Sequence, residues 1–481
     1  MRLKEIMSEK SKKSNIKYYG SIVLALFIIA IFIKIRVFPK PKWSLKLSQP
    51  KQEIKTQLTQ KEIRNVVLIS IDTLRADHLS CYGYPKKTSP NIDAFAKDAV
   101  LFNHAVTPVP LTMPAHSSMM TGTTPLYHKV HDNGHRLSES NITLAELLKQ
   151  KDFATAAFIG AAVLDSQFGL DQGFDTYDDF LPDKTMKKRV FYNERKGQEV
   201  TNRANQWLDK NKDQKFFLFL HYFDVHAPYV KHSRFALPFD RYLYDGEIVY
   251  TDRQIGRVIN KLKELDLYES SIIIIAADHG ESLSEHDEKT HGFLVYHPTI
   301  HVPLIIRMPG GLKSIKINDT VGLIDILPTI CRALNISIPE HIQGKDLGIY
   351  FSGKKTSNKE RYFFCESLLP TLFNLGPVIG LTSGRFKYIH TAEPELYDLL
   401  EDPSETKNLF DHQPEQVRIM QQQLRAVLED NNLKDIVPVK AAMGRETVRK
   451  LQALGYVATE DIKEEVQFEQ KSVNPKKFIE V

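Results

Sequence analysis

The sequence predicts an α/β protein: a mixed, mostly parallel sheet with helices on its faces, a small C-terminal antiparallel-sheet subdomain, and an N-terminal transmembrane helix. Three observations carry this. From Asn65 onward, short and nearly unbroken apolar runs alternate with amphipathic stretches, as expected of strands buried on both faces and joined by helices. From about Arg361 the texture changes to short strand-like segments around turns. Ahead of the globular body stands one long apolar run in a basic flank.

That flank comes first in the chain. Residues 1–60 hold thirteen Lys or Arg and three Asp or Glu, a net +10, so the overall +5 conceals a body of −5. The basic character is therefore local, and with no aromatic-plus-basic stripe it excludes a nucleic-acid partner. The run Gly20 to Ile33 is uniformly apolar, and Tyr18, Tyr19, Ile35, Val37 and Phe38 extend it past Lys34 and Arg36. It reaches the about 20 residues a bilayer core requires if Lys34 snorkels. No small-residue cleavage site follows, which favours a retained signal anchor over a cleaved signal peptide. Lys10, Lys12, Lys13 and Lys17 place the N-terminus in the cytoplasm and the body outside it. The expected order is a cytoplasmic segment at 1–17, an anchor at 18–38 and a linker at 39–62. A catalytic domain follows at 63–360, then a C-terminal subdomain at 361–435, and a helix and flexible tail at 436–481.

In the body, strands are expected at Val66 to Ile71, Ala154 to Ile159, Phe216 to Tyr222, Ile272 to Ala276 and Val302 to Ile306. Helices are expected at Asn91 to Ala99, Leu144 to Lys149, Arg241 to Leu265 and Ile324 to Leu334. In the C-terminal part, Ser383 to Ile389 and Glu395 to Leu399 read as strands, and Glu415 to Glu429 as a polar helix. Cys81, Cys331 and Cys365 have no metal-ligand spacing and form no disulfide framework.

Three apolar strands run into residues that bind metals: Val67 to Ile71 into Asp72, Ile273 to Ala277 into Asp278-His279-Gly280, and Phe217 to Phe223 into Asp224-Val225-His226. Parallel sheets present ligands at the C-terminal ends of their strands. Carboxylates and imidazoles gathered there, with the Thr112 hydroxyl, suit a divalent metal. Thr112 precedes Pro114 and a short helix through Met120. A helix N-terminus favours an oxyanion, and a metal at the hydroxyl would make it nucleophilic. The competing reading of Thr112 is a plain N-cap.

Several motifs in order resemble the sulfatase branch of the alkaline phosphatase superfamily. They are Ser70-Ile71-Asp72-Thr73-Leu74-Arg75, then Thr112-Met113-Pro114-Ala115-His116 closing in Thr121-Gly122. Gly173-Phe174-Asp175, His226-Ala227-Pro228-Tyr229, Asp278-His279-Gly280-Glu281 and Glu395-Leu396-Tyr397-Asp398-Leu399 with Asp402-Pro403 complete the set, covering roughly 65–410. The resemblance implies an alkaline-phosphatase-like fold and a hydrolase for sulfate or phosphate esters. It implies metal ligation by Asp72, Thr112, Asp278 and His279, and catalytic roles for Thr112, His116, His226 and His291. His226 would bind substrate, His291 would protonate the leaving group, and His116 would contact substrate or orient the nucleophile. His128 and Asn133 could touch the anion.

Four positions depart from the family's pattern. Thr112 stands where sulfatases carry a cysteine or serine that becomes formylglycine, so no formylglycine is expected. Ile71 replaces one of a pair of aspartates, His279 an asparagine, and His116 an arginine. The changes at Ile71 and His279 tilt the site away from calcium, so the expected ion is calcium or, in this softer site, zinc or manganese. One divalent ion is expected; a second, with Asp224 and His226, stays open. The partner is an anionic ester: a sulfated or phosphorylated glycan, lipid or small molecule. A phosphodiesterase or phosphoethanolamine-type transferase is the nearest alternative, and an inactive anion-binding protein the next. Loops near 181–200 and 230–245 would carry specificity.

Overall fold

The computed structural model describes residues 63–180, 194–229, 243–352, 360–430, 439–440 and 473–479. The apolar run at 20–33 and the anchor and linker expected around it lie outside these residues. Among the described residues, no helix is long and apolar enough to cross a membrane. Residues 58–481 form one compact unit.

Eight strands make the main sheet: β1 (Asn65–Ile71), β2 (Val100–Val106), β3 (Ala154–Phe158), β4 (Thr176–Asp178), β5 (Phe216–Tyr222), β6 (Ser271–Ala277), β7 (His301–Arg307) and β8 (Ile315–Gly322). Their order is β4-β3-β5-β1-β6-β7-β2-β8. All run parallel except β7, which is antiparallel to both of its neighbours. The helices include α1 (Pro90–Ala96), α2 (Thr112–Thr121), α3 (Leu144–Lys149), α4 (Gly197–Asn211), α5 (Leu243–Glu264) and α6 (Ile326–Ala333). Every residue of β1, β5 and β6 is buried, as strands covered on both faces require. A capping box, Thr143 with Glu146, starts α3 and satisfies two otherwise orphaned N–H groups.

The strands expected in the main sheet fall within a residue of their observed limits, while the one expected from Ser383 starts at Phe386. Missed were β2, β4, β8 and α4. In β2, Asn103 and His104 interrupt the apolar run at a register shift against β7 and β8. β8 alternates burial only weakly. α4 is so polar that its apolar face is narrow.

A second sheet, β9 (Phe363–Ser367), β10 (Val378–Thr382), β11 (Phe386–His390) and β12 (Glu395–Asp398), is antiparallel throughout, and α7 (Pro414–Leu428) packs Val417, Met420 and Leu424 against it. Of the helix and tail expected at 436–481, all but residues 439–440 and 473–479 lies outside the described residues. Residues 473–479 dock on the body through Gly376 N–H to the Val473 carbonyl and Lys476 to Glu395, with the Phe478 ring beside Phe293 and Phe373. Cys331 and Cys365 are buried, Cys81 is half-buried, and all three are free.

Two parallel pairings position the site. Ser70 stands level with His221 of β5 on one side and with Ala276 of β6 on the other. Because side chains alternate along a strand, Ser70, His221 and, two residues past Ser70 and Ala276, Asp72 and Asp278 share one face. The loop after β6 is held tightly: a Cβ on Gly280 would lie 1.9 Å from the Pro298 carbonyl oxygen. Gly280→Ala is therefore expected to cost roughly 1–3 kcal/mol in denaturant unfolding, whereas Gly384→Ala, with nothing within 4 Å, should be neutral.

Candidate active site

The centre is a set of buried donors at the C-terminal ends of β1, β5 and β6, roofed by α2. Thr112 is the first residue of α2, and Leu111 before it is the N-cap, with no side-chain capping bond. The Thr112 hydroxyl is thus not used as a cap. It lies 3.4 Å from His279 Nε2. That nitrogen is also 3.5 Å from Asp278 Oδ2 and 3.7 Å from Asp72 Oδ1. His279 Nδ1 donates to the Gly280 carbonyl at 2.9 Å, so Nε2 carries the lone pair and faces the carboxylates.

These residues fit a divalent metal. Both Asp72 oxygens and Asp278 Oδ2 are buried without a hydrogen-bond partner. The ligand atoms of Asp72, Asp278 and His279 lie within 4.8 Å of one another. Tetrahedral ligands about 2.1 Å from an ion stand about 3.4 Å apart, close to the spacings around His279 Nε2. An imidazole among the donors suits zinc or manganese better than calcium, which takes oxygen ligands. Burial pushes Asp72 and Asp278 up to about 7, and Asp72's charge adds to the rise at Asp278.

The remaining expected residues divide by position. The His291 and His279 rings are 4.4 Å apart, and those of His291 and His226 are 5.0 Å apart. His291 Nδ1 pairs with Glu281 at 3.0 Å, and Glu281 also accepts the Tyr229 hydroxyl. Burial raises Glu281 to about 7 and lowers His226 to about 3, which leaves His226 neutral. His116 belongs to α2 itself, one turn after Thr112. A carbonyl can only accept, so Nδ1 donates to the Thr112 carbonyl at 2.7 Å, while Nε2 accepts the Ser70 hydroxyl at 2.9 Å. Of the two roles the resemblance allows, this position fits orientation of the nucleophile rather than substrate contact.

One expectation is corrected. His128 uses both ring nitrogens inside the fold, on Ser118 and the Val130 N–H, so it braces the end of α2 instead of meeting an anion. Asp224 Oδ2 accepts the Gly197 N–H at the start of α4. Asn133 accepts the Met113 N–H at the start of α2.

Sequence reasoning missed His221, Glu281, Arg75 and Tyr244 as parts of the centre. His221 sits mid-run in an apolar strand, and its one signal was a polar residue where strand burial leaves no solvent. Arg75 ties the loop after β1 to that after β6, reaching the Glu281 carbonyl at 3.1 Å and Glu285 at 2.7 Å. Tyr244 of α5 bonds the Thr73 carbonyl and the Arg75 N–H.

The chain matches the sulfatase family over residues 64–336 and the family described as N-sulphoglucosamine sulphohydrolase, C-terminal, over 288–434. It belongs to the sulfatase family, whose members hydrolyse esters. An ulvan-active sulfatase from Formosa agariphila is 26% identical over 424 residues, covering 76% of this chain and 81% of that protein. An N-acetylgalactosamine-6-O-sulfatase from Bacteroides thetaiotaomicron is 23% identical, covering 76% and 93%. Among solved structures, the phosphonate monoester hydrolase of Agrobacterium radiobacter superposes with a TM-score of 0.66 at 21% identity, over 78% of this chain and 99% of that one. A protein solved with its substrate D-glucosamine-2-N,6-O-disulfate superposes with a TM-score of 0.65 at 18% identity, over 78% and 100%. These superpositions bear on the fold.

Carboxylates raised to about 7 make protons compete with a metal. Below that pH, binding must expel protons from Asp72 and Asp278, so affinity for zinc or manganese should fall as pH drops from 8 to 6. Calorimetry in two buffers of different ionisation heat should show more protons released per ion at pH 6 than at pH 8.

Proposed function

We propose that the chain is a metal-dependent hydrolase of a sulfate ester, with Thr112 as nucleophile. The observation that carries this is the placement of the Thr112 hydroxyl, free of capping duty, at the start of a buried helix and 3.4 Å from His279 Nε2 beside two unpartnered carboxylates. Asp72, Asp278, His279 and Thr112 would hold the ion, which when bound would lower the hydroxyl's pKa and stabilise negative charge on the ester oxygens. Thr112 attacks sulfur in line as the ester S–O bond to the departing oxygen breaks, and water then cleaves the threonyl-sulfate, releasing sulfate and restoring the hydroxyl. Its orientation comes from α2, pinned from below by His116 on Ser70 and at its first turn by Asn133 on the Met113 N–H. His291, oriented by Glu281, is placed to protonate the departing oxygen, and His226 to bind the anion from the same side. The sulfated-glycan relatives named above support an anionic saccharide ester as substrate.

A second reading, a phosphorus ester, is favoured by Thr112 itself. A threonyl-phosphate can be hydrolysed by water, whereas a threonyl-sulfate lacks the elimination open to a hydrated aldehyde. An inactive anion binder is disfavoured by the intact donor set. We further propose that the apolar run at 20–33 anchors the chain with its body outside the cytoplasm; resistance to alkaline extraction from membranes tests this.

The full-length chain assayed on aryl sulfate, phosphate monoester and phosphodiester, with calcium, manganese and zinc in turn, separates these readings. Thr112→Ala should lower kcat by at least about 10³-fold and Thr112→Ser far less. Sulfate hydrolysis unchanged in Thr112→Ala would sink the nucleophile assignment, and turnover confined to phosphorus esters would establish the second reading. His291→Ala should cost about 10²–10⁴-fold with poor leaving groups and much less with activated aryl esters.

A further inference from the structure

Asp72 and Asp278 each carry two oxygens, and the groups around them decide how many of those a cation can use. Asp278 Oδ1 is spent on the backbone: it accepts the His279 N–H at 2.8 Å and the Thr73 N–H at 3.3 Å. Oδ2 is left, 3.5 Å from His279 Nε2. Asp72 has no backbone N–H on either oxygen. Its Oδ1 stands 3.7 Å from His279 Nε2, and its Oδ2 stands 3.5 Å from Nε2 of His221, a residue that the proposed mechanism does not use.

His221 is fully buried in β5, level with Ser70 of β1, and neither of its ring nitrogens has a hydrogen-bond partner. A neutral imidazole carries its proton on one nitrogen, and a buried N–H without an acceptor is costly. The His116 ring packs against it edge to face, with centroids 4.9 Å apart, and fixes its plane. His116 cannot supply the acceptor, because its Nδ1 donates to the Thr112 carbonyl and its Nε2 takes the Ser70 hydroxyl. Asp72 Oδ2 can. The 3.5 Å gap is a few tenths of an ångström beyond the about 2.7–3.2 Å of an N–H···O bond, a distance that a small turn of the carboxylate closes.

We propose that His221 is a positioning residue that makes Asp72 a one-oxygen ligand and so selects a small, four-coordinate ion such as zinc over calcium. Its Nε2–H holds Oδ2 and leaves Oδ1 facing His279. With Asp278 Oδ1 on the backbone, the centre offers one atom from each of Asp72, Asp278, His279 and Thr112. Four donors suit the tetrahedral preference of zinc, whereas calcium takes about six to eight oxygens, often with a bidentate carboxylate among them. Outer partners that hydrogen-bond a ligand in this way are worth about 10–100-fold in metal affinity. The role of His221 rests on the reading of these four residues as a metal centre.

Metal affinity, read apart from turnover, tests this. The purified full-length chain is stripped with chelator, and its affinities for zinc and for calcium are measured by competition with a chromophoric chelator in wild type, His221→Phe and His221→Gln. His221→Phe should weaken zinc by about 10–100-fold and leave calcium unchanged or tighter. His221→Gln, which keeps an N–H, should recover most of the zinc affinity. Wild-type zinc affinity in His221→Phe, or equal losses for both ions as a merely structural role would give, overturns the role of His221 and leaves the metal centre standing. A wild-type chain that binds neither ion overturns the metal centre itself. Thermal unfolding of the metal-free chains reports whether each variant is folded. If neither folds, the zinc X-ray absorption spectrum of the loaded wild-type chain decides: four nitrogen and oxygen neighbours support a one-oxygen Asp72, and more than four overturn it.

Discussion

The constraint on which the site depends is the burial of two carboxylates, Asp72 and Asp278, at the ends of adjacent strands, with no Lys or Arg among the described residues paired to them. Ligand atoms of the pair lie within 4.8 Å. Two unit charges at that separation repel by about 3 kcal/mol at an effective dielectric near 20, before the cost of removing each from water. The fold meets this by raising both pKa values and by surrounding the pair with imidazoles, His279 on one side, His116 and His221 on the other. Such an arrangement is costly as a structural element and apt as a cation cradle.

The sheet makes the cradle possible. Parallel pairing of β1 with β5 and β6 brings the ends of three strands level, so residues far apart in sequence share a face without any loop having to search for them. The loops beyond are then pinned by polar contacts: Arg75 across to Glu281 and Glu285, Tyr244 on Thr73, and Gly280 under Pro298. These residues never meet the ester in the proposed reaction, yet they set the positions of those that do.

The four departures at the centre are consistent with one another. Ile71 joins the core on the opposite face and removes a carboxylate. His279 supplies a nitrogen donor in its place. His116 joins α2 to Ser70 beneath the nucleophile, and Thr112 offers a hydroxyl that capping does not consume. A site that had merely decayed would have no reason to keep its remaining donors aimed at one point.

The class of fold, the strands that end at the site, and Asp72, Thr112, Asp278 and His279 were legible in the chain alone. Apolar runs ending in carboxylates announce themselves locally, and motif order adds to them. What lay hidden were pairings between distant residues. His221 looked like an interruption of a strand until register set it beside Ser70 and across from Asp72. His128 carried donor chemistry that the fold spends elsewhere, on Ser118 and the Val130 N–H. Residue type and spacing determine which groups can reach a strand end; only tertiary packing decides which of their lone pairs remain free.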